Sequence, residues 1–169
     1  MKRNILLVLF LLCVFSSCVT TGRKYVIPEE GIVLQNSSIL KIVKIYTPAK
    51  SVSDGKGREL VPVDETKMIT QIACRITDSG IGTEQDKEAL IALFFSPSGE
   101  YDFVFPSAPE DSFYNRRPKQ GVSYSFPLFY IHEKGDFPVA LISFEKKVLL
   151  IIPEDDPFYQ AALSVIDQL

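Results

Sequence analysis

The sequence predicts a mainly β domain, an antiparallel sandwich or partly open barrel finished by a short C-terminal helix. Three observations carry that expectation. Residues 68–77 alternate apolar and polar side chains, the period of a half-buried strand. Residues 89–105 hold two apolar runs around Ser96-Pro97-Ser98-Gly99, a hairpin signal. Only after Pro153 does the apolar spacing change to a helical one. About eight short strands and one helix suit a layered β architecture, with the helix over an edge or open end.

The elements follow in order. Ser38–Tyr46 is β-branched and extended, with Lys41 and Lys44 interrupting its apolar run and Pro48 ending it. Residues 50–57 read as a loop, and Arg58–Val63 as a short edge strand limited by Pro62. In 68–77, Met68, Thr70, Ile72, Cys74 and Ile76 share one face, which should point inward. Tyr101, Phe103 and Phe105 share a face of the hairpin's second strand. Val122–His132 is extended, but Pro127 restricts it to an edge or a bulge. Val139–Phe144 and Val148–Ile152 make the last strands. Asp156 then suits a helix N-cap and Pro157 a first helical position, so 157–168 reads as one amphipathic helix. The rival is an α+β fold in which Asp86–Phe94 begins as a helix, a reading that Ala89, Leu90 and Leu93 permit.

The amino terminus carries a different message. Met1-Lys2-Arg3-Asn4 is a positive head, Ile5–Phe15 is an uncharged apolar run, and Ser16-Ser17-Cys18 follows. This is the layout of an export signal. The run is about half of the roughly 20 residues that span a bilayer as a helix. Phe15-Ser16-Ser17-Cys18 resembles the lipobox of bacterial lipoproteins, with Phe15 where Leu is commonest. The resemblance covers residues 1–18 and implies processing and address. Cys18 would be linked to diacylglycerol and, after cleavage behind Ser17, become the acylated first residue. Several acyl chains anchor durably where one does not. Cys13 is a weaker acceptor because bulky Leu11 and Leu12 precede it. The family's sorting pattern adds that Val19, in place of Asp, favours the outer membrane, with the periplasmic or surface side left open.

The expected organisation is therefore signal peptide 1–17, lipidated Cys18 and flexible tether 18–31, and a single β-rich domain 32–169. The tether reading rests on the polar, Gly- and Pro-containing composition of Val19–Glu30. The full chain has 18 basic and 21 acidic residues. Loss of Lys2 and Arg3 takes the basic count to 16 and the formal charge to -5. Without a long basic tract, nucleic acid is not an expected partner. The mature chain keeps only Cys18 and Cys74, so a lipidated Cys18 leaves Cys74 without a disulfide partner.

Catalytic candidates are sparse. His132 is the single histidine, expected at a solvated strand end, and no nucleophile elbow accompanies it. One His and one inward Cys do not make a zinc set. Cys74 reads as a buried structural thiol. Asp78-Ser79-Gly80-Ile81-Gly82 lacks the Lys of a P-loop and the third Gly of a dinucleotide fingerprint. Glu110-Asp111 and Glu154-Asp155-Asp156 are adjacent acids, the second better explained by a turn and a cap. The expectation is thus a non-enzymatic, lipid-anchored envelope protein without a cofactor. Its partners would be membrane lipid, through acylated Cys18, and another envelope protein. Phe113, Tyr114, Arg116, Arg117 and Lys119, in the polar interruption 107–120, offer apolar area beside positive charge, the composition of a partner-binding loop. The alternatives are a lipoprotein binding a peptide or glycan fragment between Tyr101, Tyr124 and Tyr130, and a carboxylate-dependent envelope hydrolase.

Overall fold

A computed structural model describes residues 23–33, 39–53, 59–77, 90–107, 123–143 and 146–169. Within them the fold is mainly β. The first sheet has the order β1 (Ile32–Val33), β2 (Ile39–Ile45), β5 (Lys67–Thr77), β8 (Tyr124–Glu133). The second has the order β10 (Val148–Leu150), β9 (Phe137–Ile142), β6 (Ile91–Phe95), β7 (Tyr101–Val104). All pairings are antiparallel. A small ribbon of β3 (Val52–Ser53) and β4 (Glu59–Leu60) stands apart, so part of the segment read as loop is paired. Ile91–Phe95 is a strand and Leu90 before it is not helical, while residues 86–89 of the alternative helix lie outside the described residues.

Two local irregularities have sequence causes. In β2 the inward period of Leu40 and Ile42 meets two successive outward residues, Val43 and Lys44. The register slips between Ile42 and Lys44, leaving Val43 as the extra residue of a bulge. The interruption by lysines therefore marks a bulge, not a weak strand. In β9, Pro138 sits in an interior strand, a position that ordinarily forbids it. Its ladder slips beside it, since Leu93 pairs with Ala140 but Phe94 with Pro138. Val139 and Ala140 consequently face the same way, and both join the same apolar cluster.

Alternation sorts the side chains into two cores. Leu40, Ile42, Ile72, Cys74, Phe126, Leu128 and Tyr130 meet Ala92, Phe94, Leu141, Leu149 and Ile151 between the sheets. Leu93, Phe95, Phe137, Val139, Ala140, Ile142 and Ile152 point the other way, onto Ala162 and Val165 of helix α1 (Tyr159–Ile166). The helix thus covers the outer face of the second sheet, correcting its expected position at an edge or open end. It also starts later than the sequence suggested. Asp156 does not cap it directly but accepts a 2.9 Å bond from the Phe158 amide, closing the turn that leads in.

The hairpin between β6 and β7 forms as predicted. Ser96 N–H donates to Glu100 O at 2.8 Å, and Gly99 takes φ +92°, a left-handed value suited to glycine. β8, the strand containing Pro127, ends its sheet, as the proline required.

Backbone hydrogen bonds cross both seams between the sheets. On one side Ser107 N–H donates to Phe129 O at 2.7 Å. On the other, Val26 N–H donates to Ile151 O at 2.9 Å before the chain crosses into β1. At Gly31 a Cβ would lie 2.6 Å from Leu40 O and from Ile39 Cγ2, so only glycine permits that approach. The free tether expected over 18–31 is corrected for residues 23–26. Arg23 pairs with Asp156 at 2.6 Å, and its guanidinium lies 3.3 Å from the Phe137 ring centroid. Tyr25 packs against both cores. Its burial pushes the phenol up to about 12. Composition misled here because a charged residue, Arg23, and a single aromatic, Tyr25, find their partners on distant parts of the chain.

Candidate functional site

The residues singled out for lipidation and partner binding, Cys18 and Phe113, Tyr114, Arg116, Arg117 and Lys119, lie outside the described residues. Glu110, Asp111 and residues 78–82 do so as well. The remaining candidates are placed by the two sheets.

His132 is only 3% exposed, which corrects its expected position at a solvated strand end. Its ring stacks on Phe94 with centroids 4.5 Å apart. Nδ1 lies 2.9 Å from Glu133 O and Nε2 lies 2.8 Å from Thr70 Oγ1. A carbonyl can only accept, so Nδ1 carries the hydrogen. Nε2 of the neutral ring then accepts from the buried Thr70 hydroxyl. Burial lowers the imidazole pKa, outweighing the contrary pull of Glu133, and favours this neutral form. Both nitrogens are occupied by structural bonds.

Cys74 is fully buried, as the alternation predicted, and burial pushes its thiol up to about 12. Cys74 pairs with Phe126 and His132 with Met68. These rows stand about 20 Å apart along the strands. The thiol and imidazole therefore do not meet. Tyr130 is also interior, its hydroxyl donating to Leu90 O at 2.9 Å, which corrects its proposed place in a groove wall. Tyr101 is 51% exposed on the terminal strand of the other sheet, and the Tyr124 side chain lies outside the description. Asp156 is consumed by Arg23 and the Phe158 amide. Among the described residues, no group of three His, Cys, Asp or Glu gathers as metal ligands.

Among the described residues, an exposed basic patch lies on the outer face of the first sheet. Lys41 stands opposite Arg75, which stands opposite Ser125. The next row is Lys44, Ala73 and Pro127. Lys41, Lys44 and Arg75 are exposed, and none of the six residues in these rows is acidic. Arg75 Nε donates to Ser125 Oγ at 3.3 Å, and Lys44 Nζ lies 4.5 Å from the Tyr46 ring centroid. Like charges directly opposite across a ladder destabilise a sheet. Stability therefore does not account for the Lys41–Arg75 pairing. The far end of the sandwich has the opposite character. There Lys67 pairs with Glu133. Burial, then Glu133 and Asp102, raise the Asp136 carboxyl pKa.

Comparison with protein-family models, curated proteins and solved structures finds no match for this chain.

Proposed function

We propose that the chain is a lipid-anchored protein of the bacterial cell envelope, attached to the outer membrane through Cys18, whose β domain has a non-enzymatic protein-interaction role. The outer face of the first sheet is its contact surface, and the partner is an acidic envelope protein. The observation that carries this reading is the cross-strand opposition of Lys41 and Arg75 beside Lys44. An anionic partner would relieve a repulsion that the free domain bears. The lipobox-like Phe15–Cys18 supports the address. Phe113, Tyr114, Arg116, Arg117 and Lys119 belong to the same proposal as a second basic, aromatic element.

The test is crosslinking in native envelopes with the acylated protein. Wild type should give a reproducible adduct whose yield falls with salt, since exposed charge attraction is screened. Lys41→Gln with Lys44→Gln and Arg75→Gln should lower affinity for the recovered partner by about tenfold, roughly 1.4 kcal/mol, with folding intact. Unchanged affinity would reject this face. Separately, Cys18→Ala should abolish fatty-acid labelling, and retained labelling would reject Cys18 as the acceptor.

A further inference from the structure

The docked segment that begins at Arg23 limits how far the domain can stand from its anchor. Four residues, 19–22, separate Arg23 from Cys18. Fully extended, five residue steps reach about 18 Å, less than the roughly 30 Å of a bilayer core. Arg23 itself is held three ways. It pairs with Asp156 at 2.6 Å, stacks 3.3 Å from the Phe137 centroid, and lies 5.2 Å from that of Phe158. Two residues on, the partly buried Tyr25 packs against both cores, and Val26 N–H bonds to Ile151 O. The chain is thus fastened to the domain almost as soon as it leaves the acylated residue.

From this we infer that the surface around Arg23, Phe137, Asp156 and Phe158 is the membrane-apposed face of the lipidated protein. The inference rests on the acylation of Cys18 proposed above. Residues 23–26 act as a strap that holds the domain against the headgroups, with only four residues, 19–22, between the strap and Cys18. The strap has a consequence for partner binding. Phe137 and Phe158 belong to the layer outside the second sheet, whereas Lys41, Lys44 and Arg75 lie on the outside of the first. The two surfaces are on opposite sides of the sandwich. Strapping one to the lipid turns the basic face away from the bilayer, toward a partner in the aqueous space.

The experiment uses acylated full-length protein in vesicles of phosphatidylethanolamine and phosphatidylglycerol. A fluorophore is placed at Glu154→Cys, beside the strap, or at Lys44→Cys, on the basic face. Both positions are exposed, while Cys74 is buried with a raised thiol pKa and stays unlabelled. Energy transfer to a headgroup-attached acceptor should be strong from position 154 and weak from position 44. Inserting a flexible Gly/Ser stretch between Val19 and Thr20, about 35 Å when extended, should abolish that difference while leaving every contact of the domain in place. Arg23→Ala should diminish it too. If that variant loses its fold by circular dichroism, the insertion decides.

Equal transfer from the two positions in the parent protein would overturn the strap. So would a difference that survives the insertion, because the domain would then be docking through its own surface. Fatty-acid labelling of the same preparation separates the two layers of the argument. Absence of label at Cys18 sinks anchor and strap together, whereas labelled protein with equal transfer sinks the strap alone.

Discussion

The two sheets solve burial differently. The outer face of the first sheet carries Lys41, Val43, Lys44 and Arg75 in solvent, and β2 alternates accordingly. The second sheet is covered on both faces around β9, where all six residues are buried. A strand of Phe-Pro-Val-Ala-Leu-Ile has no polar side to present to water, so a further layer must cover it. Helix α1 is that layer, through Ala162 and Val165. One sheet therefore keeps a charged face in solvent, while the other buries both of its faces around β9.

The largest effect should come from the fully enclosed sheet. Phe94 is 1% exposed, lies in the core between the sheets and stacks on His132. Phe94→Ala should cost about 3–5 kcal/mol in urea unfolding, the range for removing a buried aromatic. A loss below 1 kcal/mol would contradict the burial of Phe94 between the two sheets.

An intermediate effect belongs to the buried polar pair on the inner face of the first sheet. Thr70→Val removes the hydroxyl that donates to His132 Nε2, leaving a buried acceptor unmet at a cost of about 1–3 kcal/mol. The same pair sets a pH dependence. The folded imidazole has a depressed pKa, so the unfolded chain binds the proton more readily. The contribution of His132 is complete above its ordinary value of 6.5 and is lost as pH falls through the folded pKa. His132→Gln should flatten that part of the acid unfolding profile. An unchanged profile would contradict the neutral, buried ring. Asp136, whose pKa is raised mainly by burial, acts with the opposite sign and in the carboxylate range.

The smallest stability effect should fall on the open face. Arg75→Gln removes a like-charge opposition with Lys41 and should leave stability unchanged or raise it by a few tenths of a kcal/mol. Thermal unfolding measures this directly. A loss of more than 1 kcal/mol would assign Arg75 a structural role and weaken the argument that a partner is needed to explain it.

Much of this was readable along the chain, and the misreadings have common causes. The 68–77 alternation placed Cys74 inside correctly, because strand period and burial agree there. The same alternation put Ile69 on the outer face, yet Ile69 has no exposure. Ala49, from a segment twenty residues earlier, bridges to it. His132 looked solvated because it adjoins Glu133 at a strand end. Its burial comes from Phe94 and Thr70, which reach it from two other strands. A signal for the helix's position did exist: the unbroken apolar run of β9 announces two covered faces. The basic outer face was also present, as Lys41, Lys44 and Arg75. Only the register of β2 against β5 brings Arg75 opposite Lys41.

By itself, the sequence determined what depends on neighbours a few residues away. The strand periods, the Ser96–Gly99 turn, the inward side of Cys74 and the terminal helix are all of this kind, because backbone geometry repeats over short distances. The tertiary structure decided what depends on meeting distant chain. It chose which strands pair, put the helix on a face, drew Arg23 and Tyr25 onto the domain, and enclosed His132. Burial is conferred by partners far along the chain, and no local period records who those partners will be.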